Sequence, residues 1–365
     1  MVFMFVPVAL FSQKSRVFSV IQLIESGKYS EAKEAIELAV WNDKTSRWSR
    51  TYYAKGLLCQ KAYEEGVEKK DDKLTSLYPD QLIVAHSSYE RALELGPGNR
   101  IRSAISVHYY TLANAFKSQG SDYYRNKQYT KAQEAFEHAL LVNNSPLVES
   151  GMDTSLVFNT ALAAFESRNW DKAISYLTGL NDDGYSPESA ILLYKAHMQK
   201  ADSIGAEMVL RDGLGRYESD GDLVMQLTDH LVNSKRLEEA VEVLAEAGTR
   251  HPGDPLFPWT RGLLYDKLGR NEEAIQSLQQ ALELSPEEPG IHYGLGICYF
   301  NLGVSYEERA REISDREAYQ LVREEARKQF QLAIEYLEKT KALNPDYRGV
   351  NSRLTLLQQH LQVER

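Results

Sequence analysis

Eight histidines, two cysteines and 52 acidic residues are the groups in this chain of 365 residues that could ligate a metal, act as a nucleophile or move a proton. Their spacing fits none of these tasks. The histidines at 86, 108, 138, 197, 230, 251, 292 and 360 are scattered singly, with no His-Glu-x-x-His pair and none joined to a cysteine at metal-ligand spacing. Gly294-Leu-Gly296 is the first half of a nucleotide-binding fingerprint, but no strand precedes it and the third glycine is absent, so helix packing accounts for Gly296. The carboxylates stand on solvated helix faces beside lysine or arginine, and no general acid/base pair can be singled out among them. No catalytic residue, metal or cofactor is expected.

The residues that do recur in order are structural. Ala206, Ala240 and Ala274 stand 34 residues apart, each followed four places later by leucine, at Leu210, Leu244 and Leu278. Two helices of a hairpin approach closely when one side chain at their crossing is a methyl group. A larger residue one turn on falls on the same face and fills the gap to the next hairpin. Pro252 and Pro286 close two of the units. A single hairpin leaves an apolar face wet, so its stability comes from stacking.

The same phrase recurs along most of the chain. It is found at Gly27, Tyr29 and Ala32; at Ala85, Tyr89 and Ala92 before Pro97; at Tyr129, Ala132, Phe136 and Ala139; and at Trp170, Ala173 and Leu177. Gly269, Ala274, Ala281 and Pro286 form the cleanest copy, and Gly296, Tyr299 and Gly303 open the last. These residues resemble the tetratricopeptide repeat family. Gly262, Tyr265, Leu295, Gly296 and Tyr299 match its first helix, and Ala274, Leu278, Ala281 and Pro286 its second. The resemblance implies an all-α fold, a right-handed α-solenoid superhelix of about eight stacked helix-turn-helix hairpins. Composition agrees, since there are no alternating β-branched runs.

Residues 13–346 read as the array, with no domain boundary inside it. Three units are enlarged, at 67–84, 117–128 and 304–328. The last is rich in both charge signs, carries Tyr306, Ala310 and Ile313 at helical spacing, and is expected to project as a helix pair. Homo-oligomerisation through it is one expectation. Residues 347–365, with Leu354, Leu357 and Leu361 at helical spacing, are expected to form a C-terminal capping helix.

Residues 1–12 are almost wholly apolar and read as the hydrophobic segment of a secretory signal cut after Ser12, although the usual basic start is missing; the alternative is an apolar first helix under the solenoid. The chain is also similar to periplasmic repeat proteins of the Bacteroidetes. A periplasmic or secreted location follows from this reading, with the cytoplasm as the alternative. No later segment can span a membrane. Cys59 and Cys298 lie in distant units and are expected to be buried thiols, not a disulfide. A formal charge of −10 argues against a nucleic-acid partner.

What remains is surface for a protein or peptide partner, which points to a non-enzymatic interaction scaffold; the alternatives are a self-associating structural envelope component and a regulatory subunit of an enzyme complex. In arrays that the chain resembles, first helices line a concave groove, and the residue beside the first-helix aromatic points into it. By register these are Tyr53, Tyr110, Phe158, Ile191, Met225, Trp259 and Tyr293, an expected apolar stripe. Asn114 and Asn159 beside it could bond a peptide backbone, and Lys117 a carboxylate. The alternative is that the stripe packs against the next hairpin and is half exposed. A terminal-carboxylate clamp is not expected, because only the asparagines match its pattern.

Overall fold

In the computed structural model, the described residues are 13–149, 151–218 and 220–363; the apolar segment 1–12 and the His360 side chain lie outside them. Every regular element described is an α-helix. The chain divides into two compact units, Met1–Ala201 and Asp202–Arg365.

The first unit contains α1 (Gln13–Glu25), α2 (Tyr29–Val40), α3 (Ser49–Lys69), the short α4 (Asp72–Thr75), α5 (Gln81–Glu94), α6 (Asn99–Arg125), α7 (Tyr129–Asn143), α8 (Thr154–Glu166), α9 (Trp170–Asp182) and α10 (Pro187–Gln199). Helices α1 and α2, α3 and α5, α6 and α7, and α8 and α9 pair as hairpins, and α10 packs on α9. The second unit contains α11 (Ser203–Arg216), α12 (Gly221–Asn233), α13 (Leu237–Arg250), α14 (Leu256–Lys267), α15 (Asn271–Leu284), α16 (Pro289–Arg311), α17 (Arg316–Leu343) and α18 (Val350–Val363). Here α11 packs on α12, and α12 and α13, α14 and α15, and α16 and α17 form the hairpins. The fold is an all-α solenoid.

The repeat residues occupy the contacts that their spacing demands. Ala206, Ala240, Ala274 and the leucines four places after each have no exposed surface. Leu278 packs against Gly262 of its own hairpin, and against Gly294 of the next. A Cβ at Gly262 would stand 2.6 Å from Leu278 Cγ, so the first helix must offer no side chain there. The same pairing sets Gly120 under Phe136 and Gly296 under Leu337. A large residue thus meets a glycine across these helix pairs, as close packing of the core requires.

The turns inside the hairpins also repeat. The residue two places before the second helix is left-handed at Gly27, Lys127, Arg168, Lys235 and Gly269, with φ between 58° and 71°. The following N–H reaches back to close the preceding helix, as Lys28 N–H does to Leu23 O and Arg270 N–H to Tyr265 O.

The enlarged units are helical extensions. Helix α3 runs on to Lys69, Asp71 then caps α4, and α6 continues to Arg125. In the last enlargement α16 carries Tyr306 half-buried and Ala310 buried, but Ile313 lies in the connection beyond the helix instead of continuing its face. At the end of the chain, Val350, Leu354 and Leu357 of α18 are buried in one cluster with Leu337 and Ala333 of α17.

Candidate functional site

In the first unit the exposed faces of α3, α6 and α8 carry the residues singled out by register. Tyr53 on α3 is half-buried, its ring 6.2 Å from Tyr89 and 6.0 Å from His108, with the hydroxyl 3.4 Å from His108 Nε2. Beneath it Gln60, fully buried, ties three helices together. Its amide donates to Glu64 Oε1, His108 O and Thr111 Oγ1, and its carbonyl accepts from the Tyr89 hydroxyl at 2.9 Å. Burial raises the Tyr89 pKa well above the ordinary phenol value and lowers that of His108.

Helix α6 presents Val107, Tyr110 and Asn114 to solvent, at 65% exposure for Val107 and 44% for Tyr110. Their spacing places them along one helical face. Asn114 on α6 and the exposed Asn159 on α8 have no hydrogen-bond partner among the described residues, so both amides are free for a ligand. Phe158 is half-buried against Tyr185, with ring centroids 5.7 Å apart, and Ile191 on α10 is half-buried.

Lys117 departs from expectation. Its ammonium is bound to Asp153 at 2.6 Å, and Asp153 also accepts the Leu156 N–H as the cap of α8. Burial alone would raise the Asp153 pKa; these two partners outweigh burial and hold it below its ordinary value. A ligand carboxylate would have to displace this internal pair, so Lys117 is a strut between α6 and α8, not an open anion contact.

In the second unit the three register residues are packed rather than presented. Met225 is half-buried on α12. Trp259 covers Gly290, where a Cβ would lie 2.5 Å from Trp259 Cζ2, and its indole N–H is buried without a hydrogen-bond partner. Tyr293 lies against Tyr347 with ring centroids 5.0 Å apart. The expected stripe is therefore uneven within each unit, with Tyr110 its exposed aromatic. Val107, one turn before Tyr110, was missed; the i, i+3 spacing was the signal that could have found it.

The described residues contain no grouping of three or more histidine, cysteine or acidic side chains able to hold a metal. Both thiols are buried; burial pushes Cys59 up to about 12 and raises Cys298 further, aided by Asp266, so neither is a ready nucleophile. His86 and His138, 52 positions apart in sequence, come together edge to face with centroids 6.1 Å apart. Burial lowers both pKa values, and His138 stacks on Phe116 at 5.2 Å.

Residues 118–187 match the family described as tetratricopeptide repeat, and residues 262–303 the family described as TPR repeat. The y4yS protein of Sinorhizobium fredii is 29% identical over 106 residues, which is 29% of this chain and 56% of that protein, so the match spans little more than half of the relative. Among solved structures, a TPR repeats protein from Bacteroides fragilis is 16% identical with a TM-score of 0.36, over 68% of this chain and 98% of that one. YrrB, described as a TPR protein with an unusual peptide-binding site, is 19% identical with a TM-score of 0.39, over 63% and 98%. A MamA protein is 19% identical with a TM-score of 0.36, over 52% and 94%. The 34-residue spacing of Ala206, Ala240 and Ala274, the hairpins that bury them and the two family matches together show tetratricopeptide repeats in this chain, matched over residues 118–187 and 262–303.

Proposed function

We propose that the chain is a non-enzymatic scaffold for protein–protein interaction, and that it binds an extended peptide or a helix of its partner across the first-helix faces of α3, α6 and α8. The tetratricopeptide repeats support the general role. The observation that carries the site is on α6 and α8: Tyr110 and Val107 offer exposed apolar surface beside the free amides of Asn114 and Asn159. An aromatic anchor buries large area at low entropic cost, and side-chain amides can pair both with N–H and with C=O of a peptide backbone. Tyr53 and Phe158, half-buried, form the floor. In the second unit Met225, Trp259 and Tyr293 are each half-buried and are not anchors in this reading.

Panning a random peptide-display library on the chain tests this reading. Selected peptides should lose at least about tenfold in affinity on the Tyr110→Ala/Asn114→Ala double variant with helicity unchanged. Peptides that bind both proteins equally would move the site elsewhere.

A second reading is self-association through the α16/α17 extension, favoured by Leu321 at 68% exposure with Tyr319 beside it. Sedimentation equilibrium of the Leu321→Glu variant tests it: a concentration-dependent mass that the variant abolishes supports the reading, and a monomer throughout rejects it. Export remains our reading of residues 1–12, and amino-terminal sequencing of the protein purified from its own cells checks cleavage after Ser12.

A further inference from the structure

The first unit has an edge that a chain of net charge −10 does not predict. The Trp41–Trp48 connection between α2 and α3 and the first turn of α3 carry Lys44, Arg47 and Arg50 against a single acid, Asp43. Buried Thr45 fixes this connection, donating to Ala39 O at 2.6 Å and accepting from the Thr51 hydroxyl at 2.8 Å. The start of α1 joins the same edge, where Phe18 meets Trp48 edge to face at 5.9 Å and Lys14 Nζ stands 5.5 Å over the Trp48 ring. The Arg50 guanidinium sits 4.4 Å from the Phe18 centroid. Arg100, in the first turn of α6, bears with Arg50 on the Tyr53 hydroxyl.

None of Lys14, Arg47, Arg50 and Arg100 forms an ion pair among the described residues. The first turns of α1, α3 and α6 hold no acidic residue that would offset these charges. Apolar groups on α1, at the end of α2 and in its connection to α3 are exposed as well: Trp41 is 84% exposed, Leu38 59% and Phe18 47%.

We propose that this edge docks on an anionic phospholipid surface. Tryptophan prefers the boundary between headgroups and acyl chains, and unpaired lysine and arginine are drawn to anionic headgroups. An exposed indole on a loop that also carries unpaired cations supplies both halves of that recognition.

Vesicle co-sedimentation of the full chain tests the proposal, using phosphatidylcholine vesicles with and without phosphatidylglycerol. The chain should bind the anionic vesicles at least about tenfold more tightly, with release as salt rises from about 0.05 M to about 0.5 M. The Arg47→Gln/Arg50→Gln/Arg100→Gln variant should lose that preference. Tryptophan emission should shift to the blue on binding, and Trp41→Ala should remove most of the shift; this second variant touches no core contact and stands even where the triple variant misfolds. Equal binding to both vesicle types, no binding, or full binding by both variants would overturn the proposal. Displacement from the vesicles by hexaglutamate at lower concentration than by free phosphatidylglycerol headgroup would also overturn it, in favour of an acidic protein partner.

Discussion

Gly262 on α14 lies directly beneath Leu278 on α15, so close that any Cβ at position 262 would stand 2.6 Å from Leu278 Cγ. The pair shows how the repeat is built: the first helix yields space and the second fills it. Gly262→Ala should therefore destabilise the second unit by about 1–3 kcal/mol through overpacking, and Leu278→Ala by about 2–5 kcal/mol through the cavity it leaves. Because the two defects are complementary, the double variant should cost less than their sum. Urea denaturation of the four proteins measures the coupling.

Gln60 is a buried polar residue whose replacement by a hydrophobe should fail. Gln60→Leu removes the acceptor of the Tyr89 hydroxyl and the donor to His108 O. His108 O keeps the Thr111 hydroxyl as donor, but leaving the buried Tyr89 hydroxyl unpaired costs about 1–3 kcal/mol, more than the added apolar surface returns. Loss of the cooperative transition at lower urea would show it. An unchanged midpoint would mean water replaces the amide.

The buried imidazoles make the first unit sensitive to acid. Burial lowers the pKa of His86, His108 and His138 in the folded chain, while in the unfolded chain each titrates near the ordinary 6.5. Glu90, 3.8 Å from His86, and Glu134 and Glu137 near His138 oppose this shift without reversing it. The unfolded chain binds protons first. Stability is thus complete above about pH 6.5 and is lost as pH falls toward the folded values. His138→Phe, stacking on Phe116 in place of the imidazole, should shrink the difference in stability between about pH 7.5 and about pH 5.5.

Lys127 holds the left-handed turn position that Gly27 and Gly269 hold in other hairpins. Lys127→Gly should stabilise the α6–α7 turn by about 0.5–1 kcal/mol, the relief of the left-handed strain exceeding the added entropy of the unfolded chain. Thermal denaturation reads the change.

The parts of this account that a sequence can carry are those set by position along one helix. Ala206, Ala240 and Ala274 announce the hairpin crossings because the repeat length is a property of the chain itself. Register likewise names Tyr110 and Asn114, whose exposure depends on the face of α6 alone. It fails where a neighbour decides. Lys117 is occupied because Asp153 caps the next hairpin, and Trp259 is covered because α16 begins with Pro289 and Gly290 beneath it. His86 and His138 look solitary until α5 and α7 pack against the same face of α6. The basic edge is hidden for the same reason: its residues come from α1, the α2–α3 connection and α6, within a chain whose overall charge has the opposite sign.

The central claim is that the α6 face binds a partner peptide. The most direct measurement is the dissociation constant of one display-selected peptide on three proteins: the unaltered chain, Tyr110→Ala/Asn114→Ala, and Leu141→Ala, which removes an apolar residue 61% exposed on the neighbouring second helix α7. A loss of about tenfold or more is expected in the first variant and no change in the second. Equal affinities throughout, or a loss confined to Leu141→Ala, would contradict it.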